Sequence, residues 1–164
     1  MLRTPTLGAV ALVLALGVGW WVMQGSTAPA ANQVSGLPLG GCDPLPVPPP
    51  LPTVLTPSAP TVEAVVQALD AALTDAHKVF LRCFPDEDVL VARVHFGLGR
   101  WLRNTLHLFS DNPLTTSLRA AGVSHADQMS SVILRAYARS LHGQPLDIPG
   151  AVARARLSIE APET

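Results

Sequence analysis

Two short segments hold most of the residues that could do chemistry. The first reads His95-Phe-Gly-Leu-Gly-Arg-Trp-Leu-Arg-Asn104 and the second His125-Ala-Asp-Gln-Met-Ser130. On a helix, His95, Gly99 and Arg103 are spaced by four and share one stripe, so an imidazole and a guanidinium flank a notch without a side chain. Each glycine costs a helix about 1 kcal/mol relative to alanine, which close approach of another backbone or of a ligand can offset. Arg103 presents a planar fork suited to a carboxylate or phosphate, and Asn104 beside it can donate and accept. Asp127 and Ser130 fall near the free N–H groups of a helix start. His95, Gly99, Arg103, Asn104, Asp127 and Ser130 therefore form the candidate ligand-binding set. The competing reading is structural: Arg103 ties helix ends together through Asp127 or backbone carbonyls, Asp127 is a cap, His95 a structural histidine and Trp101 core.

The same segments give little support to catalysis. No serine or cysteine nucleophile lies within the His95 motif, and His77, His107 and His142 are isolated. No His-Glu-x-x-His or paired Cys/His spacing occurs, so no metal, cofactor or catalytic residue is assigned. From Thr61 onward the chain carries 10 Lys+Arg against 11 Asp+Glu, which offers no electrostatic footprint for nucleic acid.

The elements that must position these residues read as helices. Val62, Val65, Val66, Leu69, Leu73, Ala76, Phe80 and Phe84 make a three- and four-residue stripe that predicts one helix ending at Pro85. Asp86-Glu87-Asp88 suits the positive end of a second helix, with Leu90, Val94, Leu98, Trp101, Leu102, Thr105 and Phe109 on its buried face. Asn112-Pro113 opens a short helix that Gly122 closes. Ser124, with Asp127 three residues on, predicts the cap of a last long helix that buries Met129, Val132, Ile133, Ala136, Tyr137 and Leu141 and ends at Gly143. A weaker helical segment spans Gly150 to Ile159. No sustained period-two alternation appears, so the expected fold is all-α, a small helical bundle over residues 61–164.

Two further segments precede it. Leu7 to Met23 is an uncharged run of 17 residues with Arg3 the only charge before it. Residues 1–23 read either as a signal peptide, with Ala28-Pro29-Ala30 as a cleavage site, or as a signal anchor of roughly 26 Å with Trp20 and Trp21 at the interface. Both place the rest of the chain outside the cytoplasm, periplasmic, secreted or held by a single transmembrane segment. Residues 24–60 hold ten of the 16 prolines and one charge, Asp43, and read as an extended proline-rich spacer. Export would place Cys42 and Cys83, the only cysteines, where disulfides persist. A bridge between them, lipidation of Cys42 in the lipobox-like Leu39-Gly40-Gly41-Cys42, and two free thiols all remain open.

The two opening segments resemble a family of uncharacterised bacterial domains with the pattern His-Phe-Gly-Leu-Gly-x-Trp-x-Arg-Asn followed by His-Pro-Asp-Asp-Met-Ser. The first block stands from His95 to Asn104; the second matches at Gly122, Val123, His125, Asp127, Met129 and Ser130, and a trailing element at Leu141, Gly143 and Pro145. Phe109 stands where the family has tryptophan, Ala126 replaces its proline and Gln128 its second aspartate, so paired carboxylates at 127 and 128 are lacking. The resemblance implies a helical fold and no known activity. The expectation is a non-enzymatic binding or interaction module of the cell envelope, partnered by a protein or envelope component, and by the membrane if the leader is retained. The alternatives are a small-molecule or anion binder built on His95, Arg103, Asn104 and Asp127, and a small hydrolase-like enzyme.

Overall fold

Side-chain caps decide where the helices begin. In the computed structural model, which describes Cys42 and residues 47–157, the Thr61 hydroxyl accepts the Ala64 N–H at 3.2 Å and opens α1 (Val62–Ala72), which buries Val62, Val65, Val66 and Leu69. The expected single helix from Val62 to Phe84 is in fact two. Thr74 starts α2 (Asp75–Arg82): its hydroxyl accepts from the His77 N–H at 3.4 Å while His77 Nδ1 accepts from the Thr74 N–H at 3.2 Å. A histidine here plays the part usually given to Glu or Gln in a reciprocal cap. Across the break Leu73 and Phe84 stay buried as expected, but the inward face of α2 shifts by one residue: His77 and Leu81 are buried, while Ala76 is exposed and Phe80 half-buried.

After Pro85, Asp86 accepts from the N–H groups of Asp88 at 2.8 Å and Val89 at 3.0 Å and opens α3 (Glu87–Val94). A π-turn, His95–Gly99, joins α3 to α4 (Arg100–Thr105). Leu90, Val94, Leu98 and Leu102 are buried as expected; Trp101 and Thr105 are half-buried. Phe109 corrects the expectation. The helix stops at Thr105, His107 turns the chain with φ of 50°, and Leu108 takes the buried place while Phe109 is 70% exposed.

α5 (Pro113–Ala120) has the expected asparagine cap: Asn112 Oδ1 accepts from the Thr115 N–H at 2.9 Å and Thr115 Oγ1 from the Asn112 N–H at 3.0 Å. Gly122, with φ of 86°, closes it. α6 (Ala126–Leu141) begins one residue later than the Ser124 cap predicts. His125 is its cap, and Gln128 Oε1, not Asp127, accepts the His125 N–H at 3.3 Å. α6 is the central element, packed by α1, α2, α3, α4, the π-turn and α7 (Ile148–Leu157). Gly143, with φ of 68°, follows its end, and Gln128 Nε2 ties it to α7 by donating to the Ala155 carbonyl at 2.8 Å. The described residues contain helices and no strand, an all-α bundle.

The acidic trio does more than complement a helix end. Arg135 of α6 pairs with Asp88, Arg139 with Glu87 at 3.0 Å, and Arg154 of α7 with Glu87 at 3.5 Å. Part of the proline-rich spacer is likewise no free linker. Leu55 is buried in the core, Leu51 packs against it, Trp101 Nε1 donates to the Pro52 carbonyl at 2.8 Å, and Cys42 is bonded to Cys83 in a disulfide. Residues 47–60 thus lie on the helical domain as a strap. The leader 1–23, with Trp20 and Trp21, the spacer residues 24–41 and 43–46, and Ile159 lie outside the described residues. Among those described, no helix is long and apolar enough to cross a membrane.

Candidate functional site

The π-turn and the first turns of α6 bring the candidate set together. Arg103 reaches from α4 under the π-turn with its side chain 7% exposed. One terminal nitrogen lies 3.0 Å from Asp127 Oδ1 and donates to Ser130 Oγ at 3.1 Å; the other donates to the His95 carbonyl at 3.4 Å. Ser130 Oγ in turn donates to the Asp127 carbonyl at 2.9 Å, as does Ser131 Oγ at 2.9 Å. His95 Nε2 stands 3.7 Å from the same Asp127 oxygen, and its ring meets Phe96 edge-on at 4.8 Å between centroids. Gly99 supplies the clearance. A Cβ there would sit 3.4 Å from the Arg103 guanidinium, 3.5 Å from the Val94 carbonyl and 3.6 Å from Leu134 of α6.

Five of the six candidates, His95, Gly99, Arg103, Asp127 and Ser130, therefore meet in one knot. Asn104 is exposed and takes no part in these bonds. Arg103 spends its donors on a carboxylate, a hydroxyl and a carbonyl of its own chain, so the guanidinium fixes the π-turn to α6. Above the knot lies a surface hollow of about 450 Å³ lined by His95, His125, Asp127, Gln128, Ser131 and Arg135. The polar wall is largely committed: Arg135 pairs with Asp88, Gln128 with Ala155 and the Ser131 hydroxyl with a helix carbonyl. Among the described residues no group of three His, Cys, Asp or Glu side chains could hold a metal ion.

Sequence reasoning missed three residues that the geometry makes prominent. Phe96, inside the motif, is 84% exposed beside the His95 ring. A helical wheel set by the 3.6-residue period has no place for a π-turn, and only the paired glycines hinted at irregularity. His77, set aside as isolated, is buried with both ring nitrogens engaged, Nδ1 by Thr74 and Nε2 by the Pro49 carbonyl at 3.1 Å. Arg135 is buried beside Asp88, and nothing local in α6 announced a partner 47 residues away.

No curated protein and no solved structure matches the chain. A family model does match, over residues 60–141, which is half of the 164. That span takes in both motif segments, the π-turn and all of α6, and it leaves out the strap before Pro60 and α7. By this match the chain belongs to the family described as Domain of unknown function (DUF6794).

Proposed function

We propose that the chain is a non-enzymatic interaction module displayed outside the cytoplasm by bacterial cells, with the π-turn as its recognition edge. The observation that carries this reading is Phe96, a large aromatic side chain left 84% exposed at the π-turn. π-turns recur at functional sites, and an aromatic anchor is the residue type on which interfaces concentrate their energy. The neighbouring knot supports a rigid edge: Arg103 and Asp127 neutralise each other and hold the turn in place. The same pairing makes anion binding the second reading, because a ligand would have to displace Asp127 from Arg103. The Cys42–Cys83 bridge and the uncharged leader behind Arg3 support export, since disulfides persist in oxidising compartments.

A photo-crosslinking residue placed at position 96 in living cells tests the recognition edge. It should give a discrete adduct with an envelope component, absent when the same residue replaces the exposed Ser117 on α5. Identical adducts from both positions, or none from 96, reject the edge. Address is tested separately: a reporter that works only in the cytoplasm, fused after Thr164, should stay silent.

A further inference from the structure

A second face, distinct from the knot and lined by Leu73, His77, Phe80, Gly97 and Leu98, holds residues 48–52 of the strap. Pro49 and Pro52 are three residues apart, the spacing of one turn in a polyproline II helix, and both carbonyls are held by this face. Each accepts from an aromatic ring N–H: Pro49 from His77 Nε2 at 3.1 Å and Pro52 from Trp101 Nε1 at 2.8 Å. The Thr74 backbone N–H can only donate, so His77 Nδ1 must accept and Nε2 must carry the proton. The α2 cap thereby sets the tautomer that the strap needs. A proline offers no N–H, so each proline of the strap can be held through its backbone only at its carbonyl. Grooves lined by aromatic side chains are a recurring means by which proline-rich segments are recognised.

The strap does not fill this face. Between Pro49 and Leu51 on one side and Leu73, Phe80 and Leu98 on the other lies a hollow of about 260 Å³. It opens beside the exposed Gly97, where a Cβ would meet nothing within 4 Å. An apolar cavity of about 150 Å³ takes a benzene ring, so this one can take an aromatic side chain where the strap offers leucine. The donors His77 and Trp101 lie inside the family span and the strap residues lie outside it.

We propose that this face is a recognition groove for a proline-rich partner segment bearing a bulky apolar side chain, with residues 47–52 as its resident occupant. The Cys42–Cys83 bridge keeps the occupant at high local concentration, so the groove is closed to competitors while the bridge is intact.

The test uses the full chain carrying Cys42→Ser and Leu51→Ser, titrated with a fluorescent peptide copying residues 44–54. Saturable binding is expected, at least tenfold tighter than to the unaltered bridged chain. A peptide with phenylalanine in place of its leucine at 51 should bind tighter still, and Phe80→Trp, which enlarges a wall of the hollow, should reduce that preference. Trp101→Phe in the same background should weaken binding about fivefold, the equivalent of one hydrogen bond of about 1 kcal/mol. The proposal fails if a variant that keeps its helical circular dichroism shows no saturable binding, or if Trp101→Phe leaves the affinity unchanged. Unfolding of the strap variant also overturns it, because an occupant the fold cannot lose is not exchangeable.

Discussion

Gly97 and Gly99 stand two residues apart in one π-turn and meet opposite surroundings. A Cβ at Gly99 would touch Arg103, the Val94 carbonyl and Leu134 at ordinary contact distance, leaving no room for a larger side chain; at Gly97 it would enter open space. The Gly99 side is closed, with a buried guanidinium holding three partners on its own chain. The Gly97 side faces the partly filled hollow under the strap. Two glycines of one motif thus do different work: Gly99 sits where α4's arginine and α6 close on the turn, and Gly97 borders a hollow that packing alone gives no reason to keep.

The contrast can be broken, beginning with the largest effect. Reducing the Cys42–Cys83 bridge, which closes a loop with a sequence separation of 41, should cost roughly 3–4 kcal/mol in the chain-entropy account, read from urea unfolding with and without reductant. That cost acts through the unfolded chain, so it should appear while the helical signal of the native state is unchanged. A smaller loss, about 1–3 kcal/mol, is expected from Arg103→Ala, which strips Ser130 and the His95 carbonyl of a donor, and a similar one from overpacking in Gly99→Leu. If thermal melts show no loss for Arg103→Ala, the closed side is not what fixes the π-turn, and a ligand site at the knot becomes the favoured reading. On the open side the sign reverses: Gly97→Ala should gain up to about 1 kcal/mol, since helical glycine is costly and nothing opposes the methyl.

The smallest effect concerns Tyr137, fully buried on α6 with no partner for its hydroxyl among the described residues. Burial first, and the Asp70 carboxylate second, push its phenol well above the usual range, with Arg82 pulling the other way. A pKa raised in the folded state means that stability is complete below about pH 10, where the unfolded phenol titrates, and falls as pH rises beyond it. Tyr137→Phe should change stability at neutral pH by under about 1 kcal/mol and remove this alkaline component. Tyr137 is the only tyrosine, so absorbance of the tyrosinate near 295 nm reports on it alone. Titration of the folded chain at an ordinary phenol value would show that α6 is less closed than its packing indicates.

Local signals carried most of the architecture. Asn112-Pro113, Pro85 and Gly143 act within one helical turn, and each bounds an element where the residue types predict. The apolar stripes of α1 and α6 were legible for the same reason. The break at Thr74 was not, because an unbroken stripe runs through it and the deciding partner, His77, is an unusual one for a cap. The shift from Ser124 to His125 has the same origin, with Gln128 supplying the acceptor. At the site, the spacing of four placed His95, Gly99 and Arg103 together, and the tie from Arg103 to Asp127 was among the readings. Phe96, Arg135 and the strap contacts depend on long-range packing: a π-turn, a pairing across 47 residues and a carbonyl 49 residues from its indole. No periodicity encodes those.

The bridge also decides where a pull on the chain is felt. Tension applied anywhere before Cys42 passes through two sulfur atoms to Cys83 at the end of α2, bypassing residues 43–61 altogether. The strap is then slack whatever the force, and its bonds from His77 and Trp101 bear none of it. With the bridge open, the same pull runs along the strap and reaches the Pro49 contact before the Pro52 one, loading them in series like a strip peeled from one end. A single covalent link thus makes the difference between a domain hauled as a rigid body and one whose covering is stripped off by traction.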